Sequence, residues 1–380
     1  MRKCPLFLLL LLMSTLVFPT LSAYAADTDI MQDSLYDAAH TDSLPIPEDL
    51  QALLDEHNAS LADPASLLNL SPGDFCSALW NMITRAATEP LRLLGSFLIL
   101  TMLSAGLGGL GDALSERREL QRLFHMLCTL VCVGTAAVPL CHCLTQTASA
   151  LEDARVFMVS YIPIFTAFIT ASGHMATGMG YQTFLFFLVE SIGLMQTNLL
   201  YPAIQAAAAL GLADCINPAF ALHKIVESIR KGVIWLLVTV TTLFTALLSA
   251  RSFVSVSADG LSAKTVKMLS AGLIPVVGSA VSEAYGTLQG SLRLMRSGVG
   301  VVGILAILWL MLPPVLSLLL YRLVFSVAAL PAEMIGAESM ARLYRNGSAV
   351  LTAAFAILVV YTMMMTFSTA LMLILLHGNG

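Results

Sequence analysis

Residue types able to do chemistry are thinly spread in this 380-residue chain. Cys128 and Cys132 lie four apart on one helix face, and Cys141 and Cys143 flank His142. A Cys/His group can ligate a metal, but such ligands sit in closed, polar shells. Here the surroundings, LFHMLCTLVCVGTAAVPLCHC, are continuously apolar, which favours small side chains used for packing. Gly260-Leu261-Ser262-Ala263-Lys264-Thr265 ends like a phosphate loop. It lacks the glycine before the lysine, is too short, and follows an Asp259-Gly260 turn instead of a buried strand. The seven histidines are scattered, with no His-Glu-x-x-His pair, and no serine occupies a Gly-x-Ser-x-Gly elbow. Glu190, within FFLVESIGLM, is the best candidate for an acid inside a membrane. Such a group is a functional hypothesis by default, with interhelical pairing or an interfacial position as the other readings. No enzymatic activity, cofactor or metal is expected.

The elements that would position these residues follow from composition. The chain is 57% hydrophobic and 11% charged, with mean hydropathy +0.83. Soluble globular proteins carry about 25% charged residues, so the reading is an all-α, polytopic integral membrane protein with about six to eight transmembrane helices. Charge is uneven. Twelve of the 24 acids fall between Asp27 and Glu89, where Arg85 is the only basic residue. Translocated segments lack Lys and Arg, so residues 26–90 are expected to form a small, acidic, exported helical head. Ahead of it, Arg2 and Lys3 precede the apolar run Leu6 to Val17 and the small-residue site Ala23-Tyr24-Ala25. That order predicts a cleavable signal peptide over 1–25.

Spans are expected near 94–110, 123–143, 156–172, 232–250, 298–320 and 349–376, with 271–290 undecided. The apolar tract 181–212, interrupted by Glu190 and Pro202, exceeds one span of about 20 residues. Positive charge bears on its path. An exported head sends Arg117, Arg118 and Arg122 to the cytoplasm after the first span. Lys224, Arg230 and Lys231 join them only if 181–212 crosses twice, which favours a helical hairpin there. In domain terms, 91–250 holds the first group of spans, 251–297 an amphipathic, small-residue helical segment, and 298–380 the last spans.

Within that central segment stand Ser257-Ala258-Asp259-Gly260, Lys264-Thr265-Val266-Lys267, Ile274-Pro275-Val276-Val277-Gly278, Ser282-Glu283-Ala284 and Gly290-Ser291-Leu292. In these residues, and in the order of signal peptide, acidic head and multispan body, the chain resembles the stage III sporulation protein AE family of endospore-forming Firmicutes. The resemblance implies a non-enzymatic membrane subunit of the channel-like secretion apparatus joining mother cell and forespore. It would lie in the mother-cell-derived membrane around the forespore, with its exported side facing the intermembrane space. Implied partners are a cytoplasmic ATPase, small membrane subunits, ring-forming proteins and the forespore channel protein. Membrane lipid and a second copy are further partners, and nucleic acid is not one. Candidate assembly or pore-lining residues are Lys264 and Lys267 at a headgroup layer or an acidic partner, and Pro275 as a bend. Gly278, Gly286 and Gly290 would permit close helix approach, and Glu283 would face protein or water. Glu190 and the broken tract 181–212 would instead serve a secondary transporter, although no repeated half supports one. A scaffold that conducts nothing is the third reading.

Overall fold

In the computed structural model, residues 72–113, 118–171, 175–216, 222–247 and 278–377 are described. The proposed signal peptide, most of the acidic head, and Lys264, Lys267 and Pro275 lie outside them. Helix α1 spans Pro72–Ala113, α2 Arg118–Ala171 and α3 Met175–Met195. A π-helical segment, Gln196–Leu200, leads directly into α4, Tyr201–Ile216. Then come α5, His223–Leu247, α6, Gly278–Met334, and α7, Glu338–His377. Among the described residues six helices are long and apolar enough to cross a membrane, and they make this a multi-pass membrane protein.

Three expected boundaries move. The spans expected at 123–143 and 156–172 belong to one helix of 54 residues, about 81 Å at 1.5 Å per residue. The intervening LTQTASALEDAR contains no glycine or proline to stop a helix. Its threonines also turn their hydroxyls onto their own helix, with Thr147 Oγ1 donating to the Cys143 carbonyl at 2.7 Å. The hairpin expected in 181–212 does not form. Instead Tyr201 N–H reaches the Gln196 carbonyl, five residues back. Pro202 removes one backbone donor from the helix ladder, and the π turn lies immediately before it, so the chain continues as a helix. These two corrections offset each other in topology. The start of α5 therefore remains on the same side as the α1–α2 connection, although the expected route was wrong. The third change is at the end of the chain, where α6 and α7 extend through 321–348, beyond the expected spans.

A tight turn joins α6 to α7. Ala337 N–H bonds the Ala332 carbonyl at 2.9 Å, and Gly336 N–H bonds the Glu333 carbonyl at 3.2 Å. This nested pair closes a helix only with a left-handed residue after it, and Gly336 supplies φ +78° without a Cβ penalty. The two helices then pack antiparallel. Ser326 Oγ and Ser348 Oγ lie 2.7 Å apart, and Arg345 pairs with Glu333 at 3.1 Å.

One layer ties the bundle together. The Tyr344 hydroxyl (α7) lies 3.2 Å from Thr101 Oγ1 (α1) and 3.1 Å from Cys132 Sγ (α2), and donates to the Phe97 carbonyl at 3.3 Å. The Phe97 ring meets Tyr344 at 4.6 Å and, edge-on, Phe325 of α6 at 5.2 Å. In the same layer Asn346 donates to the Gly211 carbonyl of α4 at 3.3 Å. A second layer is an aromatic ladder on α2, where Phe157, Tyr161 and Phe165 stack four residues apart. Tyr181 meets its end edge-on and donates to the Ser368 carbonyl at 3.2 Å, joining α3 to α7.

Two glycines permit these approaches. A Cβ on Gly347 would lie 2.5 Å from the Phe325 ring, and one on Gly303 would collide with Tyr161. Gly347→Val should lower the thermal unfolding temperature of the detergent-solubilised protein sharply, at a cost of about 1–3 kcal/mol for overpacking. At Gly95, where an added Cβ meets nothing within 4 Å, Gly→Ala should be neutral or stabilising by up to about 1 kcal/mol. Equal behaviour of the two variants would show that the α6–α7 contact is not close-packed.

Candidate functional site

Between the two layers the helices carry their charges. Glu152 and Arg155 stand one turn apart on α2, a spacing that puts both on one helix face, with the acid on the N-terminal side. Arg155 holds Glu152 with two prongs, Nη2 to Oε1 at 2.6 Å and Nε to Oε2 at 2.9 Å. Its third contact, Nη1 to Glu190 Oε1 at 2.8 Å, crosses to α3. The planar guanidinium can bridge two carboxylates in this way, whereas a lysine presents a point charge. Gly193 makes room: a Cβ there would sit 2.8 Å from Arg155 Cδ, so the arginine stem runs over bare backbone. Tyr361 of α7 completes the set from below. It is 1% exposed, within electrostatic reach of all three charges, and its hydroxyl has no hydrogen-bond partner among the described residues.

Two carboxylates share one guanidinium, which leaves one net negative charge, and Asp153 beside them adds another. The Glu152 and Glu190 side chains are about half exposed, at 52% and 49%. Around them, exposed Val156, Phe187 and Leu194 give the same surface an apolar character. Charge exposed on such a surface is costly against lipid, so this face must meet protein, water or headgroups.

Glu190 therefore occupies an interhelical pair, one of the readings its sequence context left open. Hydropathy does not mark Arg155 and Glu152, because their segment reads as a break between two spans. Their signal was the acid–base spacing of three within a segment free of helix breakers. Gly278, Glu283, Gly286 and Gly290 lie on the first turns of α6, with Gly286 and Gly290 one turn apart. Their side-chain environment is outside the described residues, as are Lys264, Lys267 and Pro275. The cysteines of α2 sit mostly in the core: Cys128, Cys132 and Cys143 are buried and unpaired by disulfides, and Cys141 is exposed. Among the described residues no three His, Cys, Asp or Glu side chains gather to hold a metal.

The profile of the family described as Stage III sporulation protein AE matches residues 64–375, from ahead of α1 almost to the end of α7. The chain belongs to the stage III sporulation protein AE family. It is 21% identical over 268 residues to the Stage III sporulation protein AE of Bacillus subtilis (strain 168), covering 70% of this chain and 67% of that one. No solved structure matches. Family membership gives the protein a role in sporulation, and the family description names no reaction. The Arg155 set lies inside the matched region of the family, as do all the candidate residues of α6.

Removing one member of a charged set leaves the others unpaired. Arg155→Leu should therefore lower the unfolding temperature in lipid nanodiscs more than the triple variant Glu152→Gln/Arg155→Leu/Glu190→Gln, which leaves no unpaired charge among the three. A triple variant no more stable than the single one would show that unpaired carboxylates carry none of the cost.

Proposed function

We propose that this protein is a membrane subunit of the channel-like secretion complex that links mother cell and forespore during endospore development. The observation that carries the reading is the match to the sporulation family across nearly the whole multi-helix body, which supports a role built by that body itself. The charged face of α2 and α3 suits such a subunit. A protein isolated in lipid would not expose Glu152, Asp153 and Glu190 among Val156, Phe187 and Leu194, whereas a subunit within an assembly can cover them.

Orientation follows from charge. The C-terminus of α1, the N-terminus of α2, the α4–α5 connection and the α6–α7 turn lie at one end of the bundle, because Phe97, Cys132, Gly211 and Tyr344 share one layer. That end carries Lys224, Arg230, Lys231, Arg342 and Arg345, and in the sequence Arg117, Arg118 and Arg122 fall at the α1–α2 junction. The positive-inside bias supports a position for this end in the cytoplasm of the mother cell, with the acidic N-terminal segment in the intermembrane space. A cytoplasmic ATPase would meet the basic end. Ring-forming proteins and the forespore channel protein would meet the other, and small membrane subunits would meet the apolar flanks. Lys264, Lys267, Pro275, Gly278, Glu283, Gly286 and Gly290 are proposed as the assembly or pore-lining residues that precede and open α6.

In sporulating cells a tagged full-length chain should co-purify with the ATPase of the complex from membranes made after engulfment. The double variant Gly286→Leu/Gly290→Leu should accumulate in the membrane but lose that association. Normal assembly of the double variant would remove the intersubunit role of these glycines. Absence of any association in the parent chain would remove the complex itself.

A further inference from the structure

A lipid-facing crevice runs between α4, α5 and α7 near the basic end. Ile204 and Ala207 of α4, Val226 and Val233 of α5, and Val350 and Ala353 of α7 line it as a shallow space partly open to the surroundings. Its accessible lining is wholly apolar, so ordered water has no polar groups to hold it there. Outward from the crevice, α5 exposes Trp235, Val238 and Leu243. In a membrane, whatever fills the crevice enters from the acyl layer.

Arg230 also lines this crevice and distinguishes it from a packing defect. The residue is half-buried, and its guanidinium makes no hydrogen bond or ion pair among the described residues. Its nearest acid along the helix, Glu227, is taken by Lys231 at 2.9 Å and feels Arg230 only at longer range. Arg230 stands two turns from His223, where Asp214 Oδ1 accepts the His223 N–H at 3.1 Å and pins the start of α5 beside the end of α4. From two turns in, an arginine lays its methylenes along apolar surface and extends its charge to the headgroup level. A phosphodiester there would satisfy the guanidinium with paired hydrogen bonds.

We propose that this crevice seats one anionic phospholipid, with an acyl chain between α4, α5 and α7 and its phosphate on Arg230. The acyl chain would lie along the shallow crevice and hold α5 against the α4–α7 pair. The seat depends only on the membrane location of the helices and not on the complex proposed above.

The test uses the full chain purified in neutral detergent and titrated separately with phosphatidylglycerol, phosphatidylcholine and inorganic phosphate. Bound lipid is counted by native mass spectrometry, and thermal unfolding is followed in parallel. Phosphatidylglycerol should be retained at one copy and raise the unfolding temperature, while phosphatidylcholine binds at least about fivefold more weakly. Arg230→Gln should erase that preference, and Arg230→Lys should keep part of it. Ala353→Phe, which fills the crevice, should reduce retention with Arg230 intact. If that variant does not fold, Ile229→Trp at the rim makes the same test. Equal binding of the two lipids, or an undiminished preference in Arg230→Gln, overturns the proposal. Stabilisation by inorganic phosphate equal to that by phosphatidylglycerol also overturns it, since the site would then bind an ion without an acyl chain.

Discussion

The layer around Tyr344 is what the rest of the bundle depends on. In lipid the hydrophobic effect does not press helices together, because the surrounding tails are as apolar as leucine. Association must come from close packing and hydrogen bonds. Tyr344 supplies both, with its ring on Phe97 and its hydroxyl among Thr101, Cys132 and the Phe97 carbonyl. Those contacts draw in α1, α2 and α7, while Phe325 and Gly347 bring α6 within reach. Remove the tight approach at Gly347 and the hydroxyl no longer reaches its partners on α1 and α2 at once. The tight Gly336 turn serves the same layer from about two turns away, since it sets the register of α7 against α6.

Charge is the second constraint, and it is divided by height. Lys224, Arg230, Lys231, Arg342 and Arg345 lie at the end near the Tyr344 layer. The acids Glu152 and Glu190 sit more than five turns along their helices from that layer and share Arg155. A charged set inside helices this apolar is a poor source of stability and a strong marker of a surface meant to be covered. Tyr361, buried below it with a hydroxyl unpartnered among the described residues, marks the same place from the α7 side. The structure thus separates a face suited to protein neighbours, on α2 and α3, from a face suited to lipid, on α5.

Much of this was legible in the residues, and the failures have physical causes. Glu190 stood out because an acid within FFLVESIGLM is expensive wherever it faces lipid. Arg155 did not, since hydropathy counts the segment 144–155 as an interruption while the helix runs through it on the strength of its Ala, Leu, Glu and Arg content. Pro202 suggested a turn because proline breaks the bonding ladder, and a π segment absorbed the break. Gly286 and Gly290 are marked by their spacing alone, whereas among the described residues Gly193 is closely approached by Arg155, and Gly303 and Gly347 each by an aromatic ring. Spacing reports that a helix could be approached closely; only the neighbour shows whether it is.

Composition and charge order alone determined an all-helical, multi-pass membrane protein, because apolar stretches of this length with so few charges have no other stable state. The ordered residues of the central segment pointed to the sporulation family for the same local reason: each could be read without knowing its neighbours in space. Tertiary structure alone decided how many crossings the long tracts make, which glycines are in contact, and that Arg155 closes the gap between Glu152 and Glu190. It also decided that Arg230 lines an apolar crevice without an ion pair among the described residues. These depend on pairs of residues brought together from different helices, and hydropathy along one chain contains no information about what lies across the gap.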